Sequence, residues 1–90
     1  MLERVLTIPN SLGLHARASA QLVRLAQRFE SSITLKRRDT GAFVDAKSIL
    51  SLLGLAAGVG VKIEVIVDGA DENAAMEAVV KLVAEGFGEM

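Results

Sequence analysis

The sequence contains no cysteine, tryptophan or tyrosine, and only one proline and one histidine. Without cysteine there is no disulfide framework, no thiol nucleophile and no thiolate ligand for zinc. A single histidine leaves too few nitrogen ligands to hold a metal, so neither a metal nor a cofactor is expected. The aromatics are three phenylalanines, so the core must be aliphatic and the stacking platforms of nucleic-acid binders are nearly absent. Ten basic against eleven acidic side chains leave a net charge of -1, with no basic surplus to hold nucleic acid. No apolar run is long enough to cross a bilayer, and Met1-Leu2-Glu3-Arg4 lacks the basic-then-apolar order of a signal peptide. The expectation is a cytoplasmic protein, with no nucleic-acid partner and no membrane insertion.

What remains is a chain of 90 residues, 51% apolar, suited to one small domain over residues 1–90. Its charge is unevenly spread. Residues 1–47 hold eight basic and four acidic side chains, and residues 48–90 hold two and seven. The basic half contains His15, which suggests an acidic partner surface or an anionic group there.

Leu2 to Ile8 reads as a strand, ended by the loop Pro9-Asn10-Ser11-Leu12-Gly13. A helix from Ala16 to Phe29 places Ala18, Leu22, Leu25, Ala26 and Phe29 toward a core. Arg17, Gln21, Arg24 and Arg28 share a different, polar face, which is either simply solvated or also guides a partner. Ser31–Arg38 and Ala42–Asp45 pair as a hairpin around Asp39-Thr40-Gly41. Lys47–Leu55 is a short apolar helix with Ser48 as its N-cap, broken by Gly54, Gly58 and Gly60. Gly58-Val59-Gly60 follows a helix and precedes a strand, the wrong context for a nucleotide loop, so it reads as a turn. Val61, Ile63, Val65 and Val67 alternate as the clearest strand. A last helix runs from Asp71, near its N-cap, to Glu85, with Gly86 beyond its end and Ala75, Val79, Leu82 and Val83 buried. The order β-α-β-β-α-β-α fits an α+β fold, an antiparallel sheet with helices on one face.

The chemistry concentrates at Gly13-Leu14-His15-Ala16-Arg17-Ala18-Ser19, where a glycine turn gives way to a helix. Unpaired amides at a helix start carry a partial positive charge, which favours a neutral imidazole and can bind phosphate oxygens. Arg17 can add a planar guanidinium, and no Asp or Glu occurs between Arg4 and Phe29 to repel an anion. The plain alternative is a surface or capping histidine. A hydrolase triad would need an acid to orient His15; none lies near in sequence, though the fold could bring one in. Ser11 and Ser19 are nearby hydroxyls that helix capping explains equally well.

Gly13-Leu14-His15-Ala16-Arg17, followed thirty residues on by Asp45-Ala46-Lys47-Ser48-Ile49 and later by Gly69-Ala70-Asp71-Glu72-Asn73, resembles HPr. That family is the histidine-containing phosphocarrier of the bacterial phosphoenolpyruvate-dependent phosphotransferase system, and the likeness covers essentially the whole chain. It implies an open-faced β-sandwich of four antiparallel strands with three helices on one face. It also implies that His15 takes a phosphoryl group on Nδ1 from enzyme I and passes it to an enzyme IIA protein, with Arg17 steadying the phosphate. Such a carrier has no independent turnover, needs no cofactor and works as a monomer. Its partners would meet Ala16, Leu50 and Leu53, rimmed by Arg17 and Arg24, though spacing alone also allows Leu50 and Leu53 as core. Ser48 matches a serine that a dedicated kinase and phosphatase act on in some members, although a helix N-cap accounts for it without regulation.

Two departures stand out. Ala18 replaces the family's usual proline, and Ile49-Leu50-Ser51-Leu52-Leu53-Gly54 lacks the methionines more common in sugar-transport members. Both lean toward a branch that serves regulation, including nitrogen-related signalling. A regulatory binding module and a small independent phosphatase are the competing classes.

Overall fold

The computed structural model describes residues 1–89. Its elements are β1 (Leu2–Thr7), α1 (Ala16–Ala26), β2 (Ser32–Arg37), β3 (Phe43–Asp45), α2 (Ile49–Leu55), β4 (Lys62–Asp68), α3 (Glu72–Ala84) and a closing 3-10 turn, Gly86–Gly88. The expected order is observed. All pairings are antiparallel and the strands lie in the order β1-β4-β2-β3.

Alternation in β4 sets the layering. Ile63, Val65 and Val67 are buried while Lys62 and Asp68 are exposed, because successive side chains of a strand point to opposite faces. The register places Leu6 opposite Ile63, Leu35 opposite Val65 and Ile33 opposite Val67, so one face of the sheet is continuously aliphatic. Ala18, Leu22 and Ala26 of α1, Leu52 and Leu55 of α2, and Ala75, Val79 and Val83 of α3 complete that core. Met76 is also buried there, which the sequence reading did not anticipate, whereas Leu25 and Leu82 are only partly buried.

Several boundaries differ from the sequence reading. Helix α1 stops at Ala26 rather than Phe29. The Arg28 and Phe29 amides donate only three residues back, to Leu25 and Ala26 carbonyls at 3.1 and 3.2 Å, and this tightens the chain into a turn. The next amides, of Glu30 and Ser31, are taken by Asp71 at 2.8 and 2.9 Å, so the helix has no reason to continue. Lys47 lies outside α2, and its Nζ donates to the Phe29 carbonyl at 2.9 Å. Gly54 lies inside α2 instead of breaking it; the stop is Ala56, in the left-handed region at φ 53°. Arg37 Nη1 covers the carbonyls of Leu55 and Ala56 at 3.1 and 3.0 Å, satisfying acceptors that a helix end leaves orphaned.

Asp71 occupies the N-cap position of α3 but makes no capping bond. Its carboxylate faces the turn after α1 and also accepts from the Ser31 hydroxyl at 2.5 Å. That hydroxyl first, and then the Glu30 amide, hold the Asp71 carboxyl below its ordinary value. A carboxyl depressed in the folded state stabilises the fold above its unfolded value, and the contribution disappears as pH falls through the folded value. Asp71→Asn is therefore expected to lower the urea midpoint at neutral pH, with the gap to wild type closing below the ordinary value of 3.8. Urea titrations of both proteins across the acid range measure this.

Candidate functional site

The loop before α1 is held by backbone contacts that require glycine. Gly13 has φ +60°, and a Cβ there would stand 2.5 Å from the Ala57 carbonyl oxygen and 2.7 Å from Gly58 Cα. Neither backbone atom can give way, so only glycine fits. On either side, the Gly13 amide donates to the Asn10 carbonyl at 3.1 Å and the Leu14 amide to the Ala57 carbonyl at 2.9 Å. Leu14 is buried, so the chain is fixed immediately before His15. Gly13→Ala is expected to cost about 1–3 kcal/mol of stability, read from chemical denaturation, and to displace the His15 ring signals in NMR spectra.

His15 is the N-cap of α1, in extended geometry at φ -76° and ψ -178°. Its Nδ1 accepts from the Arg17 amide at 3.3 Å, the role a serine or aspartate oxygen usually takes. The helical ladder begins with the Ser19 amide donating to the His15 carbonyl at 2.8 Å. The amides of Ala16, Arg17 and Ala18 thus precede the ladder, and Nδ1 stands among them. Ala18, having kept the N–H that proline lacks, adds a donor to this group. Ser19 is buried and its hydroxyl donates to the Leu14 carbonyl at 3.1 Å, a structural bond that excludes it as a free nucleophile.

The sequence suggested surroundings without an acid, and the fold corrects this. The turn after α3 carries Glu89 to His15, where its Oε2 lies against Nε2. Glu89 Oε1 accepts from Asn10 Nδ2 at 2.8 Å, and the same nitrogen donates to the Gly13 carbonyl at 2.9 Å. The His15 side chain is accordingly 26% exposed and that of Glu89 16%, so the ring is half-buried rather than fully open to water. The Asn10 hydrogen bond, and after it the one from His15, hold the Glu89 carboxyl below its ordinary range. Phe87 anchors this tail: it is 1% exposed and shares an apolar pocket with Ile8, Leu14, Leu22 and Val83. Nothing periodic marks the tail in sequence. A phenylalanine between Gly86 and Gly88, in a chain with so few aromatics, was the available signal.

The other expected residues lie on α1 and on α2 with its N-cap. Ala16, Arg17 and Arg24 are exposed on α1. The Arg17 guanidinium lies close enough to Glu89 for its charge to help lower that carboxyl, behind Asn10 and His15. The cationic stripe divides, since Gln21, Arg24 and Arg28 line an open groove against Ala78, Lys81 and Leu82 of α3. Leu50 is 79% exposed and Leu53 38%, so neither is core. Leu12, in the loop ahead of His15, is also exposed and was not anticipated. Ser48 caps α2, its hydroxyl accepting from the Ser51 amide at 3.4 Å, and makes no bond to His15. No group of three or more potential ligands that could hold a metal ion occurs among the described residues.

A histidine caps the helix start, with the exposed Arg17 two residues on, and both are carried on a small open-faced α+β fold with an antiparallel sheet. The family model described as "PTS HPr component phosphorylation site" matches residues 2–85. The phosphocarrier protein HPr of Cupriavidus necator is 51% identical over 89 residues, covering 99% of this chain and 98% of that protein. The phosphocarrier protein NPr of Shewanella violacea is 43% identical over 88 residues, covering 98% and 94%. A crystal structure of HPr from Thermoanaerobacter tengcongensis superposes with a TM-score of 0.94 at 36% identity, covering 100% of this chain and 99% of that one. This chain belongs to the HPr family of phosphotransferase-system phosphocarriers. No helix among the described residues is long and apolar enough to cross a membrane.

Proposed function

We propose that the chain works as one phosphocarrier domain in which His15 Nδ1 takes a phosphoryl group from phosphorylated enzyme I and hands it to an enzyme IIA protein. The observation that carries this reading is the 3.3 Å contact between Nδ1 and the Arg17 amide. A phosphoryl group on Nδ1 would bring its oxygens to the three amides that open α1, where both the helix dipole and free N–H groups favour an anion. Arg17 would contribute a charge-assisted bond to the same oxygens. The protein's work is then positioning and charge stabilisation, which suits a carrier.

Handover also needs a surface that binds briefly. Ala16 and Arg17 are exposed on α1 and Leu50 and Leu53 on α2, and this composition supports a weak apolar contact steered by an acidic partner, with Arg24, in the groove against α3, at most at its edge. Ser48 begins the helix bearing Leu50 and Leu53. Phosphorylation there by a serine kinase would add up to about two negative charges at that surface and oppose the same acidic partner. On this reading the protein acts in the cytoplasm as a monomer.

A second reading within the same chemistry is a regulatory branch in which the phosphorylation state selects protein partners. The NPr relative favours it, as do Ala18 and the absence of methionine from α2. Pull-down of partners by the phosphorylated and unphosphorylated forms separates this branch from sugar uptake.

Incubation with enzyme I and phosphoenolpyruvate is expected to give an acid-labile, alkali-stable adduct. His15→Ala is expected to abolish it, and labelling of that variant would contradict the reading. Arg17→Ala should slow transfer about ten- to a hundredfold, the equivalent of the roughly 1.5–3 kcal/mol of a hydrogen bond to a charged group. Stopped-flow transfer assays measure that loss. Ser48→Asp is expected to slow loading from enzyme I, and unchanged kinetics would remove Ser48 as a control point. Rapid release of inorganic phosphate by the purified protein alone would point to a phosphatase instead.

A further inference from the structure

Glu89 contacts the centre of the site, yet the relay described above gives it no task. Two contacts on opposite sides of the His15 ring make the same demand. On one side Nδ1 faces a donor, the Arg17 amide at 3.3 Å, and can meet it only with a lone pair. On the other, Nε2 faces Glu89 Oε2. An ionised carboxylate can only accept, so the hydrogen between them must sit on Nε2. The carboxylate is in turn oriented by Asn10, whose 1% exposure and paired bonds to Glu89 and the Gly13 carbonyl fix the direction of its amide.

We infer that Glu89 is a positioning residue for phosphoryl acceptance, holding His15 as its Nε2–H tautomer so that the lone pair stands on Nδ1 at the start of α1. The inference deepens the carrier reading and rests on it. In the loading step the Nδ1 lone pair attacks the donor's phosphorus. The new N–P bond forms as the donor's N–P bond breaks, and that electron pair stays on the donor nitrogen. His15 gives up no proton, because Nε2 keeps its own. The ring becomes cationic and the Glu89 carboxylate opposes that charge from the far side. In onward transfer the N–P pair returns to Nδ1, which restores the neutral Nε2–H ring. No separate base is needed in either direction.

The substitution that tests this most sharply is Glu89→Gln. Glutamine has one acceptor oxygen where two are used. With Asn10 donating to that oxygen, the amide NH2 must face Nε2, and it demands a lone pair there. The ring is then pressed toward the Nδ1–H tautomer, which in turn clashes with the Arg17 amide. Glu89→Ala removes the contact without imposing the opposite one.

The test reads the ring nitrogens of His15 by 15N NMR in the unphosphorylated protein. It then locates the phosphoryl group after loading with phosphoramidate, a small donor that requires no protein partner. Wild type is expected to show the Nε2–H tautomer alone and phosphorylation on Nδ1 alone. Glu89→Gln is expected to show a measurable Nδ1–H population. Both variants should place a share of phosphoryl groups on Nε2. Loading of Glu89→Gln from enzyme I should slow about two- to tenfold, following the fraction of ring left in the competent tautomer. A merely structural tail would change neither the tautomer nor the nitrogen that is phosphorylated. If both variants keep the wild-type tautomer and phosphorylate only Nδ1, the inference is overturned. If the tautomer depends on Glu89 but wild type takes nothing from enzyme I, the carrier reading fails and the positioning role stands.

Discussion

The His15 imidazole caps a helix, a task usually given to a short oxygen-bearing side chain, and the arrangement of the site follows from that exchange. A serine or aspartate at this position would close the helix start with an oxygen. A ring nitrogen closes it more loosely, at 3.3 Å from the Arg17 amide, and keeps a lone pair that can form a covalent bond. The Arg17 amide that holds the ring in place is one of those that would hold phosphoryl oxygens once the nitrogen is occupied. The cap and the proposed carrier site are one structure.

Fixing that ring takes three separate parts of the chain. The loop at Gly13 is locked against Ala57 and Gly58 by a backbone approach that tolerates no side chain. Asn10 ties this loop to Glu89, and Phe87 ties Glu89 to the aliphatic core through a tail with three consecutive left-handed residues, Gly86, Phe87 and Gly88. The exposed apolar residues of α2 lie on a helix whose far end is closed by Arg37 from the sheet. For the proposed carrier, the fixed ring would place the accepting atom and the exposed apolar residues of α2 would serve a brief contact with a partner.

Much of this was legible in the sequence. The alternation of Ile63, Val65 and Val67 and the helical spacing of Ala18, Leu22 and Ala26 report one-sided burial directly, so the sheet and the main helices could be read. The place of His15 at the start of α1 was legible because a helix start is marked locally, over a few residues. Glu89 was not, because it meets His15 across 74 positions of sequence through a tail held by a single buried phenylalanine. The ends of α1 and α2 were misplaced for the same kind of reason. Asp71 and Arg37, both remote in sequence, take up the amides and carbonyls that decide where those helices stop. Gly54 was over-read as a breaker, since glycine inside a helix costs only about 1 kcal/mol and the packing of Leu52 and Leu55 outweighs it.

The account is tested most directly by the backbone amide spectrum of α1 recorded before and after loading with enzyme I and phosphoenolpyruvate. Movement of the Arg17 N–H bond from the ring nitrogen to a phosphoryl oxygen predicts a large downfield shift of that amide, with smaller shifts at Ala16 and Ala18. A loaded protein in which these three signals stay in place would contradict it, since the phosphoryl group would then stand away from the helix start.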